Sequence, residues 1–476
     1  MSQFTDSSSS PSSGRSAAAA DAQTLDIVIV GGGIMGLCTA YYLLESSKLS
    51  TTSTVTLIES SRSQKIANGS SSKAGGFIAR DWHKPPSTSL ARLSWTCHER
   101  ISRQLDGQRT YGWQTVKAIG LRVGSDKDQD RSKYRMLPGE AQKENGFSWL
   151  ADGEKEDLTN GQGGLSAGIA QIDPAQFCQT VHDHLSRDSR FKTIFGSPQS
   201  LSSNKHVLSV LPTVTKSAHS NVAPIALPVS KLVIAAGPWS AVVCDKLDLP
   251  TINLTNLPGH SLLIRPATQP SAQSRTGSAA GIEPCAVFAG IGADAALGVE
   301  HATGGTGRLL TAQEQAMGYT EAPELFTRSN GLVYVAGENT VPNATRPDTI
   351  VGNNRLPQNV DDVETMLDDN LLKRLKTAAE AVSPLLRLSN GAKIEVQQLC
   401  YRPKTYDGEC MIGPLCDNVF VATGHGPWGI TLAPGTGKVM SEMILGERLS
   451  ADVSQLSVDR CKVTKSASLS LSHARL

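Results

Sequence analysis

The stretch IVIVGGGIMGLCTAYYL, residues 27–43, decides the fold. The apolar, largely β-branched run at residues 26–30 is typical of a buried parallel strand, and three glycines follow it at once. From Ile34 onward the apolar residues recur with the spacing of one helix face. A second apolar run, residues 54–58, ends in Glu59. This order predicts a strand, a glycine turn, a helix, a second strand and an acid, which together form a Rossmann-like nucleotide-binding unit.

Each glycine of the turn has a predicted task. Gly31 permits the tight turn, Gly33 lets the backbone approach a pyrophosphate, and Gly36 lets the helix pack on the strand. The N-terminus of the helix, at Ile34 and Met35, is expected to offer oriented N–H groups to the phosphates. The turn is therefore expected to hold a dinucleotide.

Glu59 and the loop after it narrow the choice of nucleotide. A carboxylate at the end of the second strand can accept both ribose hydroxyls and repels a 2′-phosphate, so NADP is disfavoured. NAD and FAD share this unit. The following loop, ANGSSSKAGGFIARDWH (residues 67–83), is rich in hydroxyls and then in glycine, so it can wrap a second phosphate and lie against a flat ring, or it is a plain flexible loop. Its candidate cofactor contacts are Ser71, Ser72, Gly75 and Gly76.

Length and composition set the broad class of the chain. With 476 residues it can bury more than one core, so we expect two domains, with the freedom to interleave along the sequence. A net charge of +1 gives no reason to expect nucleic acid or an anionic membrane as a partner. Nine cysteines without paired spacing argue against a disulfide framework. Residues 1–24 lack an apolar run, which predicts a disordered tail and no membrane insertion.

Further segments follow the glycine turn in the order found in one enzyme superfamily. They are AGIAQIDPAQFCQTV (167–181), KLVIAAGPWS (231–240), LPGHSLLIRP (257–266), NGLVYVAGE (330–338), LCYRPKTYDGECMIGP (399–414) and NVFVATGHGPWGITLAPGTGKVMSEMILGE (418–447). With these segments the sequence resembles the superfamily of D-amino-acid oxidase, glycine oxidase and sarcosine oxidase, over about residues 25–450. The resemblance implies FAD as the cofactor.

The resemblance also implies the fold class, which is α/β combined with α+β. A Rossmann-like FAD-binding domain of the glutathione-reductase type is expected, interleaved with a substrate domain built on a mixed sheet. The expected boundaries are 1–24 for the disordered tail; 25–99, 165–250 and 390–456 for the FAD-binding domain; 100–164 and 251–389 for the substrate domain, with a low-complexity insertion at 266–284; and 457–476 for a C-terminal tail.

Two segments of the resemblance supply the remaining predicted FAD contacts. Residues 231–240 read as an apolar strand that returns to the FAD sheet. In the last segment we expect a strand at 418–423, a loop at 424–429 and a helix from Pro434. A helix N-terminus near the flavin would stabilise the anionic reduced ring. The candidate contacts are Ala236, Gly237, Trp239, Gly426, Gly429 and Ile430.

The activity that the resemblance implies is oxidation of the C–N bond of a small amino acid or N-substituted amino acid. A hydride passes from carbon to flavin N5, and the electrons pass to O2, giving H2O2, or to another acceptor. Residues 100–165 and 265–330 match nothing in the family, so the amine is not named. An oxygen-activating lysine is not assigned either, which leaves oxidase and dehydrogenase both open.

Arg402 is the candidate substrate-binding residue. It falls where glycine and D-amino-acid oxidases carry the arginine that binds the substrate carboxylate. A guanidinium suits this task because its planar fork makes two charge-assisted hydrogen bonds and orients the substrate. The alternative is a surface arginine before a proline. We interpret His425, Trp428, Trp82 and His83 as packing near the flavin rather than as catalysts, and the sequence calls for no metal.

Cys400 is a candidate covalent link to the flavin. It lies seven residues before Asp407, the spacing at which sarcosine oxidases carry their flavin-linked cysteine. A thiolate there can attack the ring if the site lowers its pKa. Cysteine is also among the most commonly buried residues, so a purely structural role is the alternative.

The C-terminus and two rival interpretations complete the sequence-based hypotheses. Ala474-Arg475-Leu476 is a conservative variant of the Ser-Lys-Leu signal, which predicts a peroxisomal location, with the cytoplasm as the alternative. A second dinucleotide turn for NAD(P)H at residues 286–298 is disfavoured, because no strand ending in an acid follows it. The remaining rival is a protein that binds FAD structurally and acts in trafficking or regulation.

Overall fold

The structure is a computed structural model that describes residues 23–124, 142–143, 146–159, 168–213, 222–268, 282–292, 319–339 and 356–461. Most of the predicted N-terminal tail, most of the insertion at 266–284 and the C-terminal tripeptide lie outside these residues. In the described part of the chain, no helix is both long and apolar enough to cross a membrane.

The described residues form strands and helices that we number in chain order. The strands are β1 (Asp26–Val30), β2 (Thr54–Glu59), β3 (Phe77–Ala79), β4 (Gln114–Thr115), β5 (Lys117–Val123), β6 (Gln142–Lys143), β7 (Glu154–Asp157), β8 (Ile169–Gln171), β9 (Phe191–Leu201), β10 (Val207–Pro212), β11 (Ile225–Pro228), β12 (Lys231–Ile234), β13 (Thr255–Arg265), β14 (Cys285–Gly292), β15 (Tyr319–Glu321), β16 (Glu324–Thr327), β17 (Val333–Asn339), β18 (Lys393–Lys404), β19 (Met411–Cys416) and β20 (Val419–Thr423). The helices are α1 (Ile34–Glu45), α2 (Thr88–Gln104), α3 (Gly107–Thr110), α4 (Pro174–Leu185), α5 (Ser240–Lys246), α6 (Asp369–Val382) and α7 (Gly429–Leu445).

The first sheet contains the predicted nucleotide-binding unit. Its strand order is β11-β10-β9-β2-β1-β12-β20-β19. The centre is parallel, because β1 pairs with β2 and β12, β2 with β9, and β12 with β20. The carboxyl ends of these strands therefore meet at one edge, where open α/β sheets bind their ligands. The predicted order of strand, turn, helix and strand is confirmed.

Both faces of this sheet are covered. Alternate residues of β1 point to opposite faces, so Ile27 and Ile29 enter one hydrophobic core while Val28 and Val30 enter another. The first core is shared with α1 and α7, and the second with α5. Burial on both faces explains why β1 reads as a continuous apolar run rather than an alternating one.

The second sheet is mixed and nine-stranded. Its order is β18-β13-β17-β16-β14-β5-β7-β6, with β15 beside β14. The β14–β5 pair is parallel and the other pairs are antiparallel. Helix α6 packs on one face of this sheet, against residues such as Val287, Leu325 and Val335. The neighbouring Phe288, Phe326 and Tyr334 belong to a different cluster on the other face. A third, small sheet joins β3, β8 and β4.

Strand β18 belongs to the second sheet, where it pairs with β13 along its whole length. The sequence-based boundaries put residues 390–404 with the FAD-binding domain instead. The glycines at 290 and 292, weighed above as a second dinucleotide turn, lie inside β14 rather than after a strand.

The prediction that the last helix starts at Pro434 is wrong, because α7 begins at Gly429 and contains Pro434. A proline inside a helix leaves the carbonyl four residues earlier without its usual donor. That carbonyl, on Ile430, lies 2.9 Å from Nε2 of buried His98 on α2, which replaces the missing N–H. The side chain of Ser94 also donates to the Thr431 carbonyl, at 2.6 Å. Helix α2 therefore makes this interior proline tolerable, a long-range effect that the local sequence does not reveal.

Candidate active site

A cavity of about 270 Å³ lies at the carboxyl ends of β1, β2 and β12, and we call it the groove. It contains most of the contacts predicted from the sequence. The predicted residues that line it are Gly31, Gly33, Ile34, Met35, Glu59, Ser71, Ala236, Gly237, Trp239, Gly426, Gly429 and Ile430. Two distant parts of the chain, the β1–β2 unit and the β20–α7 loop, thus meet around one cavity.

The glycine turn is packed as tightly as its predicted tasks require. Gly31 has φ +118°, and a Cβ there would lie 2.3 Å from the Ala235 carbonyl oxygen. A Cβ on Gly36 would lie 2.1 Å from the Gly31 carbonyl oxygen. Gly36 does not line the groove, so its part is to let α1 pack closely on the turn. Any side chain at Gly31 or Gly36 requires the backbone to move.

Glu59 lies at the end of β2, with 7% of its surface exposed. Its carboxylate accepts hydrogen bonds from the backbone N–H groups of Gly32 and Ser61, both at 3.0 Å. Burial raises the pKa of Glu59 to about 7, and these N–H groups act in the opposite direction. An additional donor, such as a ribose hydroxyl, stabilises the ionised form further.

The loop between Glu59 and β3 contacts the start of α1. The hydroxyl of Ser71 accepts from the Ile34 N–H at 3.0 Å. Ser72 does not line the groove, and its N–H donates to the Ala67 carbonyl at 3.2 Å. The structure therefore gives Ser71 a position at the groove but places Ser72 inside the loop itself.

Side chains from other elements fix the glycine-rich part of this loop. The carbonyls of residues 73–75 accept hydrogen bonds from Gln398 at 2.9 Å, Arg328 at 2.9 Å and Gln171 at 2.7 Å, respectively. Arg328 also pairs with Asp173 at 2.9 Å, and both side chains are largely buried. Three side chains from other elements thus fix this part of the loop at the edge of the groove.

A second cavity, of about 810 Å³, lies between this loop and the second sheet, and we call it the chamber. Gly75 and Gly76 line it, as do the four aromatic or imidazole side chains interpreted as packing from the sequence, namely Trp82, His83, His425 and Trp428. The groove and the chamber share six lining residues, so the two cavities meet, and we call the place where they meet the junction. The six shared residues are Ala74, Cys400, Arg402, His425, Pro427 and Ile430.

Arg402 and Cys400 lie at this junction on strand β18. They are two residues apart in a strand, so they share one face of it. Arg402 is partly exposed and lines both cavities, whereas Cys400 is 7% exposed. Burial raises the pKa of the Cys400 thiol, and the charges of Arg402 and Lys73 act against that rise. The junction therefore contains one charged guanidinium and one mainly protonated thiol.

The two histidines at the site are neutral at physiological pH. Burial lowers the pKa of His425 to about 3, and its Nε2 lies 3.0 Å from the hydroxyl of Thr436. Burial also lowers the pKa of His83 to about 4, and its ring lies 4.5 Å from that of Trp428. Neither imidazole carries a proton that it can donate as an acid at pH 7, which agrees with a packing role.

One wall of the groove was missed from the sequence, and we call it the strap (residues 356–366). Gln358 and Val360 line the groove. The strap is tied to both sides, because Trp239 donates to the Pro357 carbonyl at 2.9 Å and Asn359 donates to the Ser60 carbonyl at 2.7 Å. The carboxylate of Asp361 in turn accepts from residues 61–63 and Asn68. The strap follows a stretch without a recognisable motif, so no local signal marks it.

The residues around the groove fit a dinucleotide such as FAD. The turn presents no side chain to the groove at Gly31 and Gly33, which both line it. A Cβ added to Gly33 would lie 3.2 Å from the Ser71 hydroxyl, so there is little room for a side chain at this position. A carboxylate for ribose, a helix N-terminus for phosphates and a wider chamber beyond follow one another along the cavity.

Comparison with known proteins agrees with this geometry. The model of a family described as FAD dependent oxidoreductase matches residues 26–443. A candidate oxidoreductase of Schizosaccharomyces pombe, C1F5.03c, is 27% identical over 442 residues, covering 90% of this chain and 97% of that protein. Glycine oxidase from Geobacillus kaustophilus superposes with a TM-score of 0.61 at 16% identity, covering 91% of this chain and 98% of that one. L-proline dehydrogenase from P. horikoshii gives a TM-score of 0.61 at 13% identity, covering 93% and 100%.

The solved structures share the fold with this chain, and the family model spans β1 to most of α7. The glycine turn, the acid at the end of β2 and the groove that they form are the features expected for binding FAD. The chain therefore belongs to the FAD-dependent oxidoreductase family, in the superfamily of D-amino-acid oxidase and glycine oxidase, and FAD is its cofactor.

Proposed function

We propose that the protein oxidises the C–N bond of an amino acid or N-substituted amino acid. The observation that carries the proposal is Arg402, a permanently charged guanidinium that lines both the groove and the chamber where they join. The names of the similar structures support an amino-acid substrate, since one is a glycine oxidase and the other an L-proline dehydrogenase.

The groove residues hold the cofactor in this proposal. Glu59 binds the ribose, the turn from Gly31 to Gly36 and the start of α1 bind the pyrophosphate, and the junction receives the flavin ring. When bound, FAD supplies an acceptor for two electrons. The loop at residues 73–76 and the start of α7 then form the walls on either side of the junction.

Arg402 positions the substrate. Its planar fork binds the carboxylate with two parallel hydrogen bonds, which fixes how the α-carbon faces the junction. Oxidation removes two electrons and two protons from the amine, and water then hydrolyses the imine to a carbonyl compound and ammonia or a primary amine. His83 and His425 are neutral, so neither places a positive charge beside the amine. The amine must reach the site uncharged, and positioning is the main contribution of the side chains.

We propose O2 as the electron acceptor, reduced by two electrons and two protons to H2O2. A dehydrogenase that uses another acceptor is the alternative, as is a non-catalytic FAD protein with a regulatory role. The test is to purify the flavin-loaded protein, add amino acids and N-methyl amino acids without oxygen, and follow flavin bleaching. Bleaching followed by peroxide on adding air supports the oxidase, and bleaching without peroxide supports the dehydrogenase. A flavin that no amine bleaches contradicts an amine-oxidising function.

Cys400 was a candidate covalent link, and its environment favours a non-covalent flavin. The thiolate is the reactive form, and burial raises the pKa of this thiol despite the two nearby cations. We expect acid precipitation of the holoenzyme to leave the yellow colour in the supernatant. Colour in the pellet that is lost in a Cys400→Ser variant would establish the covalent link instead.

We propose a peroxisomal location, supported by the C-terminal Ala474-Arg475-Leu476 and by the production of peroxide in the proposed reaction. A fluorescent protein carrying residues 457–476 is expected to co-localise with a peroxisomal marker, and removal of the last three residues is expected to return it to the cytoplasm. Diffuse fluorescence of the unaltered fusion would contradict the proposal.

A further inference from the structure

The far wall of the chamber is a cluster of aromatic rings, and we call it the aromatic wall: Phe77, Trp82, Phe288, Phe326 and Tyr334. Phe77 is central, with its ring centroid 5.2 Å from Trp82, 5.3 Å from Phe288 and 5.4 Å from Phe326. Phe326 in turn lies 5.9 Å from Tyr334. These distances are typical of favourable aromatic pairs, so the rings stabilise one another as a continuous surface.

The aromatic wall belongs to the chamber and not to the groove. All of its rings line the chamber, and none lines the groove that receives the nucleotide. Phe77 and Phe288 remain partly exposed although the other rings around them are buried. The wall therefore presents partly exposed aromatic surface to the chamber.

Loop and wall also fit closely together. A Cβ on Gly75 would lie 2.5 Å from the ring of Phe326 and 3.1 Å from that of Tyr334. The loop that carries Gly75 thus packs directly against Phe326 and Tyr334, and loop and rings together line the chamber. The chamber has a volume of about 810 Å³, well above what a benzene ring needs, since an apolar cavity of ~150 Å³ can hold benzene.

The other charged groups of the chamber do not compete for a ligand at the wall. Lys84 and Glu324 are exposed, so they lie at the open side. Asp81 pairs with Arg80 at 2.7 Å, and Glu409 accepts a hydrogen bond from the hydroxyl of Ser87. Arg402 is the cation shared with the groove, and the aromatic wall lines the same chamber. A ligand that satisfies both has a carboxylate and an apolar ring.

We propose that the substrates are amino carboxylates that carry an aromatic group, which binds against the aromatic wall while the carboxylate binds Arg402. This inference rests on the proposed function and narrows it, because a substrate as small as glycine would leave the wall uncovered. Each aromatic group placed there removes apolar surface from water and gains contacts with several rings.

The test measures binding, which does not depend on turnover. The flavin-loaded protein is titrated with acetate, phenylacetate and indole-3-acetate, none of which has an amine to oxidise, and the change in the flavin absorption spectrum is followed. We expect phenylacetate and indole-3-acetate to bind at least about tenfold more tightly than acetate. Phe288→Ala is expected to remove most of this preference, because it weakens binding of phenylacetate more than binding of acetate, and Phe288→Leu is expected to have an intermediate effect.

Leu211→Ala is the matched control, because Leu211 is 39% exposed on β10 and lines neither cavity. Equal affinity for acetate and phenylacetate would overturn the inference, as would an equal loss for both ligands in Phe288→Leu. One further result would contradict the proposed function and not this inference. If benzylamine binds in a way that depends on Phe288 but no carboxylate binds at all, the wall recognises aromatic groups while Arg402 does not recognise carboxylates.

Discussion

The groove and the chamber touch at the junction but are built in different ways. Much of the groove comes from one short stretch, where β1, the glycine turn, α1 and β2 follow one another along the chain. The aromatic wall of the chamber comes from β3 and the loop after it, which lie in a different sheet, and from β14, β16 and β17, and these segments carry no motif. In the proposed function, the cofactor is therefore held largely by a local pattern, and the substrate is held by the tertiary structure.

Gly31→Ala is expected to have the largest effect, which is to prevent cofactor binding in the groove without altering the chamber. An alanine at φ +118° is strained, and its Cβ would lie 2.3 Å from the Ala235 carbonyl oxygen. We expect the purified protein to lose nearly all bound flavin, measured as the ratio of the visible flavin absorbance to the absorbance of the protein.

Gly391→Ala is the control for this variant. Gly391 has φ +100° but nothing within 4 Å of its would-be Cβ, so it shares the strain without the crowding. If both variants retain flavin equally, close packing of the turn is not what holds the nucleotide.

Arg402→Met is expected to impair substrate binding in the chamber without impairing cofactor binding in the groove. Loss of the guanidinium should leave the flavin content unchanged, because the groove has many other contacts. We expect kcat/KM for an amino-acid substrate to fall by about 100-fold or more, as a charge-assisted bidentate contact is lost. Arg265→Met is the matched control, since Arg265 on β13 pairs with Glu395 and lines neither cavity. An unchanged kcat/KM in Arg402→Met would remove the residue from the site.

The smallest expected effect is a pH dependence of FAD affinity caused by the titration of Glu59. The ionised carboxylate binds ribose hydroxyls best, and its pKa without cofactor is about 7. FAD affinity should therefore be constant above pH 7 and fall by up to about tenfold for each pH unit below it. Titration of the apoprotein with FAD between pH 5.5 and 8.5 measures this, and Glu59→Gln should abolish the dependence.

The stability of the apoprotein should respond in the opposite sense. The folded pKa of about 7 lies above the ordinary value of 4.5, so folding favours the protonated form of Glu59. The stabilisation is complete below pH 4.5 and is lost as the pH rises through 7. If the apoprotein of Glu59→Gln shows the same pH dependence of unfolding as the wild type, Glu59 is not its source.

The sequence predicted the groove better than the chamber for physical reasons. The tasks of Gly36 and Glu59 depend on neighbours within the β1–β2 unit, so spacing alone indicates them. The start of α7 was misplaced because the donor that replaces the proline N–H comes from His98, more than 300 residues away. Phe288 and Phe326 read as ordinary apolar strand residues, and only the register of β14 and β16 brings them onto one wall.

The strap has a consequence for how long the cofactor stays bound. It lines the groove between Trp239, which makes one hydrogen bond to it, and residues 60–63, which make several. A nucleotide lying beneath residues 358–360 leaves only when some of these bonds open, whatever its equilibrium affinity. We therefore expect slow exchange of FAD, so that residence time, more than affinity, determines how much of the protein is loaded when free cofactor is scarce.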